Sequence, residues 1–554
     1  MLKFINSKIF FLIILIVVIF ALYGKSINFE LMDLDDKPSI TNSLHYISNI
    51  KNLPKIFFQD TTYKNKSTYY RPVLMSSFSI ETILFGYNTK IYHLSNIVMF
   101  IFVIYLIYLF FIKIKLNENI SKAVCILVAV HPILTSNVVY VSTRAEMLMA
   151  IFLLLSFINF INYVETDKIK NLILFFVFLL PALLSKETAG ISIFIFVAFV
   201  YAFDYKISKK QIVNSVIFFG CAVAIYMVCR FIAIPNAEAS SFATVPILFL
   251  NAFNSLMIFT YKIFVPDYIA VLLYDVHITA NMIFINSLTV AVLIFAFITK
   301  IVDRKKILFC LFWFLLFLFP NFCIYEQQIL FHRILVPLIG VEIFIILLTD
   351  YLLTDFKWLK KYIVVLYVCL LILFSFLAWV QADKYKTQND FMVNSYLDDK
   401  NRISSIQLIE YCIQQGDFKK ARELLAERTK NSLTYRDILQ YAALELSEGN
   451  IDKAEETYLH LEESITYDTI YKNLSKIYLI KKNYDKAFEY LDKFKKLSQN
   501  DTWAVFQEGA IYEACGNYKK AYEVMLSVNG IYAKDKYYTE KLEELKNKAE
   551  KTND

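Results

Sequence analysis

Residues 361–380 indicate the fold class, and they read KYIVVLYVCLLILFSFLAWV. The run carries a single charge, Lys361, at its first position. About 20 consecutive apolar residues form a helix long enough to cross the hydrocarbon core of a bilayer. Similar runs recur from residue 9 onward. The sequence therefore predicts an all-α, polytopic bundle of transmembrane helices.

The composition of the whole chain agrees with this prediction. Of the 554 residues, 57% are hydrophobic and 19% are charged, and the mean hydropathy is +0.48. A soluble domain is about half apolar and about a quarter charged. This balance excludes disordered and collagen-like chains, and a net charge of +7 is too small to favour nucleic acid. Because the eight cysteines form no CxxC pair, we expect them to have packing roles.

Charge sets the orientation of the eleven spans that we predict. With the N-terminus in the cytoplasm, the short cytoplasmic loops hold most of the loop lysines and arginines. This holds only if segment 241–265 does not make a single full crossing of the membrane. We therefore predict that this segment is an interfacial or re-entrant helix and that the C-terminus lies outside the cytoplasm. The predicted spans are 9–23, 91–112, 121–140, 146–163, 171–184, 189–203, 212–234, 281–299, 307–324, 330–349 and 361–380. The cytoplasmic basic residues are Lys113, Lys115, Lys122, Lys168, Lys170, Lys206, Lys209, Lys210, Lys300, Arg304, Lys305, Lys306, Lys357, Lys360 and Lys361.

The tail repeats a short pattern four times. QGDFKKA at 415–421 recurs as EGNIDKA, KKNYDKA and CGNYKKA, and the final alanines are spaced 33, 33 and 34 residues apart. This resembles tetratricopeptide repeats, whose period is about 34 residues. Glycine with Asn or Asp makes the turn between two helices, and such helix pairs stack into a solenoid with a concave face. We therefore divide the chain into a membrane domain, 1–380, which includes the outer loop 24–90, and an extracytoplasmic repeat domain, 381–554.

The outer loop opens with two adjacent acids, Asp35 and Asp36. A helix start with Asp36 as the cap and Pro38 in the first turn would explain one of them. It does not explain a second carboxylate close to the outer end of the first predicted span. The pair is therefore a candidate for a site, because ionisable residues at span ends are otherwise unnecessary for packing.

Further ionisable residues lie at the predicted outer ends of other spans. Each has a plain structural explanation, such as a helix-end ion pair, a snorkelling lysine or an interior histidine. Together, however, the cations could hold a lipid phosphate. The cations are Arg144, Lys186 and Arg333, and their acidic and histidine neighbours are Glu146, Glu187, His93 and His131.

The order of the motifs matches a known pattern. It comprises Asp35-Asp36 followed by Ile40, Tyr70-Arg71-Pro72, Tyr92-His93-Leu94, His131-Pro132, Thr143-Arg144-Ala145-Glu146, Leu184-Ser185-Lys186-Glu187, and Arg333 with Pro337-Leu338-Ile339-Gly340. With the repeat tail, this order resembles the transmembrane-and-tetratricopeptide-repeat family of O-mannosyltransferases and its bacterial relatives. These belong to the GT-C fold class of membrane glycosyltransferases. The resemblance covers nearly the whole chain.

The resemblance implies transfer of a sugar from a polyprenyl-phosphate donor to a Ser or Thr hydroxyl of an acceptor protein, outside the cytoplasm. Asp35 or Asp36 would be the catalytic base, and Arg144, Lys186 and Arg333 would bind the donor phosphate. Arg71, His93, His131, Glu146 and Glu187 would line the site. No metal or other cofactor is expected, and the repeats would recruit the acceptor.

Two other functions stay open. A transferase of the same fold could modify a lipid or a glycan, and a non-catalytic membrane protein could simply display the repeats. Abundant Lys, Ile, Asn and Phe suggest an AT-rich genome, so we predict a bacterial inner membrane with a periplasmic site.

Overall fold

The structure is a computed structural model, and it describes residues 8–61, 69–235, 245–273, 277–323, 329–398, 402–430, 433–498, 501–532 and 536–551. Regular structure in these ranges is helical apart from one isolated antiparallel bridge between Leu273 and Ile329. The predicted all-α class is confirmed. The chain divides into two compact units, one of residues 1–32 with 89–391 and one of residues 33–88 with 392–554.

The first unit is the membrane bundle. Nine of its described helices are long and apolar enough to cross a membrane, or ten if a helix pair bent by 58° near His131 counts as one span. Eleven spans were predicted, and two of these, 171–184 and 189–203, fall on helices shorter than the others. The bundle helices are α1 Lys8–Tyr23, α2 Thr89–Lys113, α3 Glu118–Ala129, α4 Arg144–Thr166, α5 Ile169–Ser185, α6 Ser192–Ala202, α7 Lys209–Ala233, α8 Val245–Phe264, α9 Ala280–Thr299, α10 Arg304–Phe322, α11 Leu335–Asp355 and α12 Lys360–Asp383.

Helix α8 corresponds to the segment predicted to lie at the interface. The connection after α6 meets the start of α10, since Lys305 donates to Asp204 at 2.5 Å. All three helices between these points are long and apolar enough to cross, but three single crossings would put Asp204 and Lys305 on opposite sides of the membrane. Near one end of α8, Asn251 donates to the carbonyl of Phe322 at the far end of α10. Near its other end, the carbonyl of Ile263 bonds His131 beyond α3. Helix α8 is itself one of the nine helices long and apolar enough to cross, so its interfacial or re-entrant placement stays a prediction.

The core of the bundle is aromatic. Trp313 is 1% exposed and its indole Nε1 donates to the carbonyl of Val336 at 2.7 Å, which satisfies its only donor. Its ring lies 5.9 Å from Phe110 and 5.8 Å from Phe157, measured between centroids. Such tilted aromatic pairs contribute beyond their buried area. Helices α2, α4, α10 and α11 are held together at this cluster.

Gly340 lets α11 approach α10 closely. A Cβ atom at this position would lie 2.6 Å from the carbonyl oxygen of Cys310, closer than real Cβ contacts come. Small residues at such crossings are the usual means of close helix packing in membranes. The Pro337–Gly340 motif quoted above therefore has a packing role as well as its place in the resemblance.

The second unit joins the outer loop to the tail, so the division differs from the one drawn on the sequence. The loop contains the helices Asp36–Ser39, Leu44–Ile47 and Pro72–Phe85 and a 3₁₀ segment, Ile50–Phe58. The Thr502 hydroxyl, at the start of a tail helix, donates to the carbonyl of Asn42 at 2.8 Å and accepts from His45 Nδ1 at 3.2 Å. The loop is thus bonded to the tail by side chains.

The tail forms four helix pairs, with turns at the positions that the repeats predict. Gly416, Gly449 and Gly516 have φ of 76°, 88° and 80°, and Lys482 takes the same left-handed conformation at φ 58°. A lysine is strained there, whereas glycine is not. The repeating alanines are fully buried. The tetratricopeptide assignment itself stays a prediction. The pairs are Arg402–Gln414 with Phe418–Thr429, Tyr435–Ser447 with Ile451–Ser464, Asp468–Ile480 with Tyr484–Leu497, and Thr502–Ala514 with Tyr518–Leu526, followed by Lys536–Lys551.

Candidate active site

The site residues predicted from the sequence fall into both units. Asp35, Asp36 and Arg71 belong to the unit of the outer loop and tail. The remainder belong to the bundle, namely His93, His131, Arg144, Glu146, Lys186, Glu187 and Arg333.

Asp36 is a buried carboxyl group at the start of a short helix. It is 1% exposed, and it is the first residue of the helix Asp36–Ser39. The capping position is Asp35 rather than Asp36, and the Asp35 side chain makes no capping hydrogen bond. The helix-cap explanation therefore accounts for neither carboxylate. Asp36 is buried whereas Asp35 is exposed, which makes Asp36 the stronger candidate of the two.

The surroundings of Asp36 are acidic and phenolic. Asp33 pairs with Lys37 at 3.3 Å, one helical turn later. Burial raises the pKa of the Tyr87 hydroxyl, and the charges of Asp36 and Asp33 raise it further. Tyr87 therefore stays a neutral hydroxyl at physiological pH. A phenol of this kind can donate a hydrogen bond near the carboxylates but cannot compete with them as a base.

Arg71 lies at the start of the Pro72–Phe85 helix. Its guanidinium carbon is 4.6 Å from the ring centroid of Tyr69, a cation–π distance. The Ser79 hydroxyl of the same helix donates to the carbonyl of Ile47 at 2.6 Å, which fixes the helix against the loop. Arg71 thus belongs to the same folded loop as the two aspartates.

Arg144, at the start of α4, is fully buried. It is 0% exposed, its Nε donates to Asn96 Oδ1 at 2.8 Å, and an Nη donates to the carbonyl of Tyr92 at 2.9 Å. Asn96 in turn donates to the carbonyl of Tyr140 at 3.3 Å. The guanidinium therefore connects α2, α4 and the segment before α4. Its first role in this structure is to hold that part of the bundle together.

Lys186 and Glu146 form an ion pair inside the bundle. Their side chains are 10% and 4% exposed, and Lys186 Nζ donates to Glu146 Oε1. The sequence placed these residues in different motifs, and the structure brings them together. Glu187, the next residue, begins a 3₁₀ segment that leads into α6.

His131 is satisfied by the backbone on both ring nitrogens. Its Nδ1 accepts from the N–H of Ile133 at 3.2 Å, so Nε2 carries the proton and donates to the carbonyl of Ile263 at 2.9 Å. Phe374 packs on its ring at 4.5 Å. This geometry fits the structural explanation given above for a lone histidine. His93 is 1% exposed and lies edge-on to Phe29 at 6.4 Å.

Arg333 is the most accessible of the three cations. Its side chain is half-buried, and one Nη donates to Asn321 Oδ1 at 2.8 Å, near the end of α10. Arg144 is fully buried and Lys186 is paired with Glu146, so Arg333 is the cation that a ligand reaches most directly. In the parts of the chain that the structure covers, no three His, Cys, Asp or Glu side chains converge as metal ligands would.

Asn96 is a site residue that the sequence reasoning missed. It is fully buried in α2 and orients Arg144. The signal was available, because an amide in the middle of an apolar span usually faces a polar partner in the bundle. The sequence analysis considered ionisable side chains alone and so passed over it.

The long apolar helices, together with similarity to a membrane transferase, identify the chain as an integral membrane protein. The chain is similar to human (Homo sapiens) Protein O-mannosyl-transferase TMTC3, with 32% identity over 130 residues. These residues are 23% of this chain and 14% of the human protein, so most of that relative is not covered. No family model matches the chain.

Among solved structures, the chain is similar to the Archaeoglobus fulgidus oligosaccharyltransferase tethered to an acceptor peptide with an NVT sequon. The sequence identity is 12%, and the similarity covers 75% of this chain and 58% of that one. The TM-score is 0.36, which is too low to support an argument about function.

Proposed function

We propose that this protein is a membrane glycosyltransferase that moves a sugar from a polyprenyl-phosphate donor to a Ser or Thr hydroxyl of an acceptor protein. The reaction would take place on the outer side of the membrane, in a bacterial inner membrane. The observation that carries the proposal is the buried carboxyl of Asp36, which is 1% exposed and does not stand at the capping position of its helix. The motif order and the similarity to the human O-mannosyl-transferase support it.

The chemistry needs one base and no strong general acid. The base removes the proton of the acceptor hydroxyl as the oxygen attacks the sugar C1, and the bond from C1 to the phosphate oxygen breaks. The phosphate leaves as a stable anion, so it does not have to be protonated. Asp36 is our candidate for the base, with Asp35 orienting it.

The cations would stabilise the charge that develops on the leaving phosphate. Arg333 is the foremost candidate, because it is half-buried whereas Arg144 and Lys186 are buried. Lys186 is neutralised in part by Glu146. Arg144 would act through the bundle geometry that it holds, unless the donor displaces one of its present bonds.

Two other functions make different predictions. A transferase that modifies a lipid or a glycan would use the same Asp36 but would not need a protein acceptor. A scaffold that only displays the repeats would neither bind the donor nor release sugar from it. The buried ion pair and the buried Asp36 favour an enzyme, since an anchor needs neither.

The test is Asp36→Asn in the full-length protein, assayed with a labelled polyprenyl-phosphate sugar and a panel of acceptors. We expect transfer to fall about 10²–10⁴-fold, because the amide cannot take the hydroxyl proton. Asn keeps the shape of Asp and can replace it at a helix start, so insertion and thermal stability should stay close to those of the unmodified protein.

Asp33→Asn is the matched control. Asp33 is in the same loop and pairs with the half-exposed Lys37, so its loss should change transfer little. Near-normal turnover by a stably inserted Asp36→Asn variant would remove Asp36 as the base. Donor cleavage without any protein acceptor would instead favour the lipid or glycan alternative.

A further inference from the structure

A polar cavity of about 500 Å³ opens at one end of the membrane bundle. It lies among the connections after α2, after α6 and before α10, and the last turns of α11. We call this the inner end, after the predicted orientation. The charged residues that line the cavity are three lysines and three aspartates: Lys115, Lys206, Lys306, Asp204, Asp303 and Asp350.

The three aspartates are each engaged by other groups. Asp204 accepts from Lys305 Nζ at 2.5 Å, and Asp350 accepts from Asn117 Nδ2 at 2.8 Å. Asp303 caps α10 and accepts from the backbone N–H of Lys305 at 2.8 Å. The carboxylates are thus used to build the walls of the cavity.

The three lysines have no such partner. Within the described ranges no carboxylate lies within 4.0 Å of Lys115, Lys206 or Lys306, while the neighbouring Lys113 pairs with Glu165 at 2.5 Å. Lys306 lies 5.5 Å from the ring of Phe203, a cation–π distance that leaves its charge available. Two of these cations lie in the connections after α2 and after α6, and Lys306 lies in the first turn of α10, so three separate parts of the chain bring a cation to one cavity. The occupant that they fit is an anion, and lysine is a common ligand of phosphate.

The base of the cavity is apolar. Ile114 is 4% exposed, Ile346 is 0% exposed, and Leu116 and Leu347 lie beside them. Burying this apolar surface does not stabilise a bound free phosphate ion. It does stabilise a bound phospholipid, whose glycerol and first methylenes can contact it. Basic pockets between membrane helices are known to bind anionic headgroups.

We propose that this cavity binds the headgroup phosphate of an anionic phospholipid in the inner leaflet. The lysines contact the phosphate oxygens, and the apolar base contacts the glycerol end of the lipid. The proposal concerns the end of the bundle away from Arg144 and Lys186, so it does not depend on the transferase reaction. Its function would be to fix the bundle in the membrane at a defined depth.

The experiment uses the full-length protein in phosphatidylcholine vesicles that contain a minor fraction of spin-labelled phosphatidylglycerol. The measurement is the fraction of label immobilised by the protein, for the unmodified chain and for the triple variant K115Q/K206Q/K306Q. The control, K168Q/K170Q/K209Q, removes the same charge from exposed lysines of the predicted cytoplasmic loops, outside the cavity lining. We expect the relative affinity for the labelled lipid to fall about fivefold or more in the cavity variant, because it alone loses the charge-assisted contacts to the bound phosphate.

The control variant should keep most of the affinity. Equal losses in the two triple variants would overturn the proposal, because they would show a general effect of surface charge. A third arm adds inorganic phosphate at millimolar concentration. No displacement of the lipid is expected, and full displacement would overturn the assignment to a lipid in favour of free phosphate. None of these measurements uses sugar transfer, so they stand apart from the test of Asp36.

Discussion

The membrane bundle and the repeat tail use ion pairs in different ways. In the bundle, Lys186 and Glu146 are 10% and 4% exposed, so neither charge can return to water if its partner is lost. In the tail, Lys495 and Glu508 pair at 2.8 Å with side chains 35% and 25% exposed. The contacts are alike in kind, but their contributions to stability are not. An exposed pair contributes about 0–1 kcal/mol, whereas breaking a buried pair costs about 3–5 kcal/mol.

The largest effect in this comparison is expected for Lys186→Met. It leaves Glu146 charged and unpaired inside the bundle, so the free energy of unfolding should fall by about 3–5 kcal/mol. Thermal unfolding in detergent measures this change. The double variant Lys186→Met/Glu146→Leu should recover most of the loss, since no buried charge is left. If the double variant is as unstable as the single one, the loss is due to packing. The claim that an unpaired buried charge destabilises the bundle would then be wrong.

An intermediate effect is expected where the outer loop is bonded to the tail. Thr502 is 3% exposed, and its hydroxyl is the partner of the Asn42 carbonyl and of His45. Thr502→Val keeps the shape but leaves the carbonyl unpaired, which should cost about 1–3 kcal/mol. Hydrogen exchange of the amides at 40–47 should accelerate accordingly, and Thr502→Ser should restore their protection.

This bond also bears on the function of the tail. Because the loop that carries Asp36 is fixed to the fourth helix pair, we expect Thr502→Val to lower kcat for transfer more than it changes KM for the donor. A change confined to acceptor KM would contradict this, and would favour a tail that only recruits the acceptor. Unchanged exchange at 40–47 would show that the hydroxyl does not hold the loop at all.

Local patterns predicted the fold well, because a membrane imposes its constraint residue by residue. The apolar run 361–380 could only be a long helix, and the glycines at 416, 449 and 516 marked turns because each needs positive φ. The charge rule predicted that 241–265 would not make a single full crossing, and this stays a prediction, because α8 is long and apolar enough to cross. Helix length was predicted less well, because the predicted spans 171–184 and 189–203 fall on α5 and α6, which are shorter than the candidate spans.

The site was predicted less completely, because its contacts join distant parts of the chain. Nothing in the residues around Asn42 or Thr502 indicates that they meet, since the contact spans 460 positions. The Lys186–Glu146 pair likewise joins residues of two different motifs, and each motif had a separate explanation from its own neighbours. Asp36 could be selected as an unusual acid, but only the structure shows that it is buried and that the capping position of its helix is Asp35.

The smallest effect is expected for the exposed pair of the tail. Lys495→Gln keeps the aliphatic stem and removes the charge, and Glu508 can be hydrated once its partner is gone. We therefore expect the free energy of unfolding to change by less than about 1 kcal/mol, and by less still at high salt, where exposed pairs are screened. Chemical denaturation of the full-length protein in detergent, followed by tryptophan fluorescence, measures it, and a parallel Trp503→Phe background isolates the signal of Trp503, which packs against the hydrophobic core of the tail. A loss as large as that of Lys186→Met, unaffected by salt, would mean that Glu508 is buried in solution. In that case the ion pairs of the bundle and of the tail would contribute alike to stability, although their exposed fractions differ.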